Sequence, residues 1–561
     1  MRMFKKNTLK QYSKQMKDLN FIEVIKNSII NNWDLPALSD YKIKTSTYSS
    51  IGNKIIKIHN LYKTCNIKNE DKISLIGKSS INWATTYLAT ISYGATIVPI
   101  LSDFHIDNIT NIINHSDSKI LFIDDTIFNK LDINQLTNLQ LIVRLSDFTL
   151  LHDKGSDCNI ESTLNSDDNI SKKDFKLPDI DNTNIGVISY TSGTTGFSKG
   201  VMLPLESLMA NIHFAWNNMP LIAGDNMLSI LPLAHAYGCA FEFLWPFSKG
   251  VHITFLGKIV SPQVMIDAFQ DIKPNLLLMV PLIIEKIYKR KLQELLSKSS
   301  MKVLLSIPLI NNLIYKQIKN KLSNVFGGNF REVIIGGAAL NKDVELFLRR
   351  IGFNFSVGYG MTECGPLISY ANWDKAQIGS CGQLVDTLDI KIDSNDPENI
   401  PGEIMVKGAN VMKGYYKNTE ETDKIIDSDG WLHTGDLGII DKNKYIYIKG
   451  RIKCMILGPS GENIYPEEIE SKLSNYPYIA EQLIISENNR LIALVFLDND
   501  KLKKKNIKEK DLNLIISNTK KHINKSLPKY SQISEIRIQE EEFEKTPKQS
   551  IKRFKYEQKK D

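Results

Sequence analysis

The sequence has no closely spaced cysteine pair, no basic tail, no apolar run behind its basic start and no internal repeat. Each absence excludes something. The six cysteines, Cys65, Cys158, Cys239, Cys364, Cys381 and Cys454, form no Cys-x-x-Cys motif, and no histidine neighbours them at metal-ligand spacing. That excludes a Cys-based metal module and predicts six reduced thiols in a cytosolic protein. The start of the chain is basic at Arg2, Lys5, Lys6 and Lys10 but has no apolar run behind it, so it does not read as a signal peptide. One uncharged run, 83–101, is long enough to span a bilayer, yet it is rich in Thr, Ser and Tyr and contains Gly94 and Pro99. It predicts a buried helix followed by a buried strand. The net charge of +7, from 70 basic and 63 acidic residues, is spread along the chain rather than gathered in a tail. A nucleic-acid role is therefore not indicated, whereas weak attraction to anionic lipid is admitted.

What is present is a globular composition, 42% hydrophobic over 561 residues. That length allows about two to four substructures. Apolar residues recur at Ile51, Ile55, Ile58 and Tyr62, one face of a helix over 47–62. Strands are predicted at 72–76, 96–99, 119–123 and 141–144, and Ser79 or Ser80 is placed to cap the helix between the first two. Strands alternating with helices predict parallel sheet covered on both faces. Residues 151–176 are polar and irregular, a surface excursion.

The chain is organised around the loop that follows. The apolar strand 185–189 runs into Tyr190-Thr191-Ser192-Gly193-Thr194-Thr195-Gly196-Phe197-Ser198-Lys199-Gly200. Glycines let backbone N–H groups turn towards one point, hydroxyls add donors, and Lys199 adds a positive charge. Such a loop suits a polyphosphate. Composition alone would equally describe a surface loop. The ATPase phosphate-loop pattern fails on spacing, because the four residues that follow Gly193 lead to Ser198 rather than to a glycine, and Lys199 is followed by Gly200.

Further landmarks succeed it in order. Leu231-Pro232-Leu233-Ala234-His235-Ala236-Tyr237-Gly238 precedes the apolar Phe241, Phe243, Leu244 and Trp245, which read as core or as pocket lining. Val333-Ile334-Ile335-Gly336-Gly337-Ala338-Ala339 is a strand entering a glycine turn, against which a flat base can lie. A strand over 353–357 ends in Gly358-Tyr359-Gly360-Met361-Thr362-Glu363, supplying a ring, a hydroxyl and a hard oxygen ligand for Mg²⁺. Ligands in open α/β sheets sit beyond such carboxyl ends of strands. Asp436 lies in Asp429-Gly430-Trp431-Leu432-His433-Thr434-Gly435-Asp436-Leu437-Gly438, and Arg451 and Lys453 follow in Lys449-Gly450-Arg451-Ile452-Lys453.

These motifs, in this order, resemble the adenylate-forming enzymes: acyl-CoA ligases, peptide-synthetase adenylation domains and luciferases. The block 429–453 and the segment 281–287 are similar to long-chain fatty acid:CoA ligases, and the likeness runs from about residue 20 to the end. The resemblance implies an α/β fold with a large N-terminal adenylate-forming domain on parallel-type sheets, 1–450, and a small mobile α+β domain, 451–561, hinged near Lys453. It implies ATP, Mg²⁺ and coenzyme A. The loop residues Thr191, Ser192, Gly193, Thr194, Thr195, Gly196 and Lys199 would hold phosphates, with Glu363 and Thr191 at the metal. Gly336, Gly337, Ala338, Tyr359, Gly360 and Thr362 would face the nucleotide, Asp436 its ribose, and Arg451 its ribose or phosphate. His235, Gly337 and Gly360 would line the carboxylate pocket, and Ser460 and Gly461, in Gly458-Pro459-Ser460-Gly461-Glu462-Asn463, the pantetheine tunnel.

One position departs from the pattern. The family carries a lysine two residues before the Ile-x-Arg arginine's isoleucine-side neighbour, in the context Gly-Lys-Ile-x-Arg. Aligned on Ile551 and Arg553, that lysine is Ser550. Lys548 and Lys552 lie two residues to either side, on the same face if the segment is extended, and are the candidate replacements. The implied activity is AMP-forming ligation of a fatty acid to coenzyme A. Alternatives are transfer to an acyl-carrier protein and a weakly catalytic binding homologue. The expected location is cytoplasmic, with peripheral membrane contact admitted.

Overall fold

The computed structural model describes residues 20–154, 164, 169–191, 198–257, 262–288, 296, 299–458, 462–488, 490–505, 507, 509–545 and 551–557. Two large sheets carry the N-terminal unit. In the eight-stranded sheet, Ile185–Thr191, Thr96–Ile100, Lys72–Ile76, Ser118–Ile123 and Leu141–Arg144 lie side by side and parallel. Antiparallel strands close both edges: Lys199–Pro204 with Gly414–Tyr415 on one, Leu150–Asp153 on the other. The seven-stranded sheet places Phe355–Val357, Glu332–Ile335, Leu276–Met279, Asn226–Ser229, His252–Phe255 and Pro36–Asp40 in parallel order, with Lys44–Thr47 antiparallel at the rim.

The central strands are buried along their length, as in Thr96–Ile100, which is why they read as continuous apolar runs rather than alternating ones. The helix Ile81–Tyr93 is buried on nearly every side. Trp83 stacks on Tyr87, and Phe243 meets both edge-on. The Ser80 hydroxyl caps it by accepting from the Trp83 N–H at 3.2 Å. The uncharged run 83–101 is thus a buried helix and a buried strand. No helix among the described residues is long and apolar enough to cross a membrane.

A four-stranded antiparallel sheet follows, in the order Leu388–Asp393, Gly402–Gly408, Leu432–Ile440 and Ile446–Arg451. The apolar core of everything so far spans residues between Phe21 and Ile446. A separate core, from Ile464 to Phe543, belongs to a small α+β unit. There Ile479–Glu487, Arg490–Leu497 and Ile533–Gln539 form a sheet backed by Pro466–Leu473 and Glu509–Lys525. The architecture is α/β with a large N-terminal and a small C-terminal domain.

Two expectations need correction. Cys65 is disulfide-bonded, so the six cysteines are not all thiols; Cys239, Cys364, Cys381 and Cys454 are free. The strand expected over 353–357 begins only at Phe355, because Gly352 ends the preceding turn and the Phe353 N–H is engaged by the Leu348 carbonyl of the helix before it.

Candidate active site

Asp436 sits where the sheet register brings two strands together. It faces Arg451 as a direct antiparallel partner, and the Arg451 Nε donates to its Oδ1 at 2.8 Å. From a second element, the Tyr359 hydroxyl donates to Oδ2 at 2.7 Å. Asp436 is buried, and that burial raises its carboxyl above the usual range, with the Arg451 charge acting against the rise. Each carboxylate oxygen has a second lone pair, so both can still accept an O–H.

Tyr359 stands on the short strand Tyr359–Gly360, directly beyond Phe355–Val357 in the parallel sheet. Gly360 has no alternative there: an added Cβ would lie 2.1 Å from the Pro366 carbonyl oxygen. The Gly336–Ala338 turn closes the neighbouring strand end, and Gly337 takes φ +86°, a left-handed value suited to glycine. Behind it, the Tyr237 hydroxyl donates to the Ile334 carbonyl at 3.1 Å. Tyr237 thereby links the segment of His235 to the glycine turn. His235 itself is half-buried at the start of Ala236–Gly238.

Thr362 and Glu363 occupy a single 3₁₀ turn after Gly360. The Tyr415 hydroxyl donates to Glu363 Oε1 at 2.9 Å. The same Tyr415 ring carries the Lys199 ammonium 5.0 Å from its centroid. Lys199 is also ion-paired with Glu421, whose other oxygen meets Lys424 at 2.8 Å. Lys199 first, then Lys424, holds the Glu421 carboxyl down to about 2. Thr191 is the register partner of Lys199 at the base of the loop. Ser192, Gly193, Thr194, Thr195 and Gly196 lie outside the described residues. Among the described residues no group of three His, Cys, Asp or Glu forms a metal cage. One carboxylate with neighbouring hydroxyls fits Mg²⁺, which takes few protein ligands and completes its shell with water and phosphate.

Phe241, Phe243 and Trp245 are core residues, each at most 1% exposed. Leu244 lines a small apolar cavity of about 20 Å³, with Tyr87, Ser189, Leu233, Ala236 and Cys239 among its other walls. Phe241 and Phe243 belong to a π-helical segment, Cys239–Leu244, that also carries Glu242. Glu242 is fully buried and its Oε2 accepts from Ser229 Oγ (2.9 Å), Ile230 N–H (3.0 Å) and Leu231 N–H (2.9 Å). Those bonds fix the segment leading to His235. Burial pushes the Glu242 carboxyl up to about 8.

In the small domain, Lys453 lies exposed in the 3₁₀ turn Ile452–Cys454. Lys552 approaches Glu544 at 3.6 Å, and Arg553 is ion-paired with Glu470. Both partners belong to the small domain, so the structure does not bring Lys552 to Asp436 or Glu363. Lys548, Ser550, Ser460 and Gly461 lie outside the described residues. Asn341 joins the two domains. Its Nδ2 donates to the Ser471 carbonyl (3.1 Å), Ser474 Oγ (2.7 Å) and Asn475 Oδ1 (2.9 Å).

Tyr415, Glu421, Glu242, Tyr237 and Asn341 are absent from the site residues expected from sequence. Glu242 left a signal, as a lone charge inside an apolar run. The others left none, because each matters through a partner far away in the chain.

A large parallel-sheet domain with its polar groups at the strand ends, followed by a small α+β domain, defines the adenylate-forming architecture. The AMP-binding enzyme family matches residues 29–416, and the AMP-binding enzyme C-terminal domain matches 455–559. The chain belongs to the AMP-binding enzyme family. It is 30% identical to rat long-chain-fatty-acid–CoA ligase 5 over 482 residues, 79% of this chain and 69% of that protein. It is 25% identical to the Arabidopsis thaliana chloroplastic long-chain-fatty-acid–[acyl-carrier-protein] ligase AEE15 over 538 residues, 81% of this chain and 72% of that one. A solved structure of the anthranilate CoA ligase AuaEII, in complex with anthranoyl-AMP, shares the fold with a TM-score of 0.77 at 17% identity, over 96% of both chains.

Proposed function

We propose that this protein is an AMP-forming ligase that joins a long-chain fatty acid to coenzyme A. The observation that carries the reading is the Asp436 carboxylate, held from two sides by Tyr359 and Arg451 with lone pairs to spare. That is the acceptor a ribose diol requires. The similarity to the rat ligase supports a fatty acid and coenzyme A as substrates.

On this reading the fatty carboxylate oxygen attacks the α-phosphorus of ATP. A P–O bond forms, the bond to pyrophosphate breaks, and acyl-adenylate results. Coenzyme A sulfur then attacks the acyl carbonyl, and AMP leaves with the former carboxylate oxygen. Asp436 and Arg451 hold the ribose, and the Gly336–Ala338 turn and Tyr359 bound the base. Lys199 and the loop from Thr191 take the β- and γ-phosphates, and Thr362 and Glu363 flank them. Mg²⁺, held by Glu363 with a hydroxyl of Thr191 or Thr362, would offset the charge developing on the phosphates. His235, Gly337 and Gly360 face the carboxylate. Ser460 and Gly461 line the thiol's approach after the small domain, 451–561, has turned about Lys453. A cytoplasmic enzyme with peripheral contact at an anionic membrane fits the net charge of +7.

The decisive experiment is ATP–pyrophosphate exchange with a panel of fatty acids, followed by thioester formation with coenzyme A. Exchange that depends on a long-chain acid, and thioester with coenzyme A, is the expected result. No exchange with any acid overturns the proposal. A second reading, an acyl-carrier protein as acceptor, draws on the similarity to the Arabidopsis ligase. Thioester on a carrier protein but none on coenzyme A would select it.

A further inference from the structure

Glu363, in a 3₁₀ turn, and Lys199, at the start of an edge strand, lie 164 positions apart in the sequence numbering, yet one side chain touches both. Tyr415 is 7% exposed, and its two chemically distinct parts are each engaged. The hydroxyl donates to Glu363 Oε1 at 2.9 Å. The ring face carries the Lys199 ammonium at 5.0 Å.

The backbone around Tyr415 is held as firmly as its side chain. Gly414–Tyr415 pairs antiparallel with the strand that begins at Lys199, with Tyr415 opposite Val201. The Tyr416 N–H donates to the Gly200 carbonyl at 2.8 Å, and the Met412 N–H to the Glu363 carbonyl at 2.9 Å. The Thr422 hydroxyl accepts from the Tyr415 N–H at 2.9 Å. Tyr415 thus meets both partners from a backbone that is itself anchored, and on the Lys199 side it acts beside the Glu421 carboxylate. A phenol bonded to one carboxylate oxygen fixes the plane of the carboxylate and the direction of the other oxygen. Groups bonded to metal-ligating side chains in this way orient them and tune affinity.

We infer that Tyr415 is a positioning residue of the nucleotide site, setting the Glu363 carboxylate with its hydroxyl and the Lys199 ammonium with its ring. The inference rests on the reading of Glu363 and Lys199 as the metal and phosphate groups of a ligase. It separates two functions within one residue. Removing only the hydroxyl should disturb the metal side; removing the ring should disturb the phosphate side as well.

The test is equilibrium binding of ATP by calorimetry on the full chain, with and without Mg²⁺, in Tyr415→Phe, Tyr415→Leu, Glu363→Gln and Lys199→Ala. Tyr415→Phe should need about tenfold more Mg²⁺ for half-maximal binding, while its Mg²⁺-free ATP affinity stays at the wild-type value. Tyr415→Leu should also lose Mg²⁺-free affinity, to the extent seen in Lys199→Ala, and combining the two should add nothing further. A Tyr415→Phe protein with unchanged Mg²⁺ dependence, beside a Glu363→Gln protein that has lost it, overturns the inference and leaves the ligase reading standing. If Glu363→Gln and Lys199→Ala themselves bind MgATP like wild type, the assignment of those two groups has failed instead. Because Tyr415→Phe keeps the ring and the packing, its result stands even if Tyr415→Leu does not fold.

Discussion

Asp436 and Arg451 are register partners on adjacent antiparallel strands, and the guanidinium Nε reaches Oδ1 at 2.8 Å. The pair is asymmetric: the carboxylate is 5% exposed and the arginine side chain 59%. Asp436→Ala takes the acceptor away from both Arg451 and the buried Tyr359 hydroxyl. ATP affinity should fall by on the order of 1.5–3 kcal/mol, typical for a hydrogen bond to a charged group. Asp436→Asn keeps an acceptor and should lose less. ATP titration of the two variants checks this, and wild-type affinity in the alanine variant would remove Asp436 from the site.

Glu242 predicts a pH dependence of stability. Its folded carboxyl titrates near 8, raised by burial from 4.5. Below about pH 4.5 the group is protonated in both states and its stabilising contribution is complete. Between there and about 8 the unfolded chain ionises while the folded one keeps its proton, so stability falls as pH rises. Glu242→Gln should abolish that slope and gain on wild type, by on the order of a few kcal/mol at pH 9. Melting temperatures from pH 5 to 9 decide it: the gap should widen with pH, and a constant gap counts against the buried acid.

Asn341 should govern how firmly the small domain is held. Its Oδ1 caps the helix Lys342–Arg350, while its Nδ2, with two hydrogens, is shared among three acceptors of the other domain. Asn341→Asp keeps the cap and loses the donor. Limited proteolysis within 452–458 should then run several-fold faster at unchanged melting temperature. Cleavage at the wild-type rate would show that the contact holds nothing.

Lys453→Pro should restrict rotation in the turn Ile452–Cys454. If the small domain must take two orientations, one half-reaction should lose at least tenfold more than the other. The measurements are pyrophosphate exchange and thioester formation from supplied acyl-adenylate. Equal losses would argue against alternation about this residue.

Aligned on Ile551 and Arg553, Ser550 stands where the family resemblance implies a lysine, and a serine hydroxyl carries no charge. Lys552, held near Glu544 in this orientation, has a flexible stem that can reach elsewhere after rotation. Exchange should drop in Lys552→Ala or Lys548→Ala and further in the double variant. Should all three match wild type while Ser550→Lys speeds exchange strongly, neither lysine is the substitute.

Much of this protein was legible before any fold was known. The strands 72–76 and 141–144 and the buried run 83–101 stand where local pattern puts them. Their signals are contiguous: apolar runs and a capping serine. The motifs carrying Tyr359, Glu363, Asp436 and Arg451 were equally plain, because each is a short string of unusual residues. What the sequence by itself determined was therefore many of the elements, the parallel character of the sheet they build and the membership of the chain in its family. Only the tertiary structure decided which side chains meet. Tyr359 reaches Asp436 across 77 positions, Tyr415 reaches Glu363 across 52, and Asn341 reaches Ser474 across 133. Such contacts follow from strand order and register, which are fixed by burial of whole sheet faces rather than by any residue's neighbours in the chain.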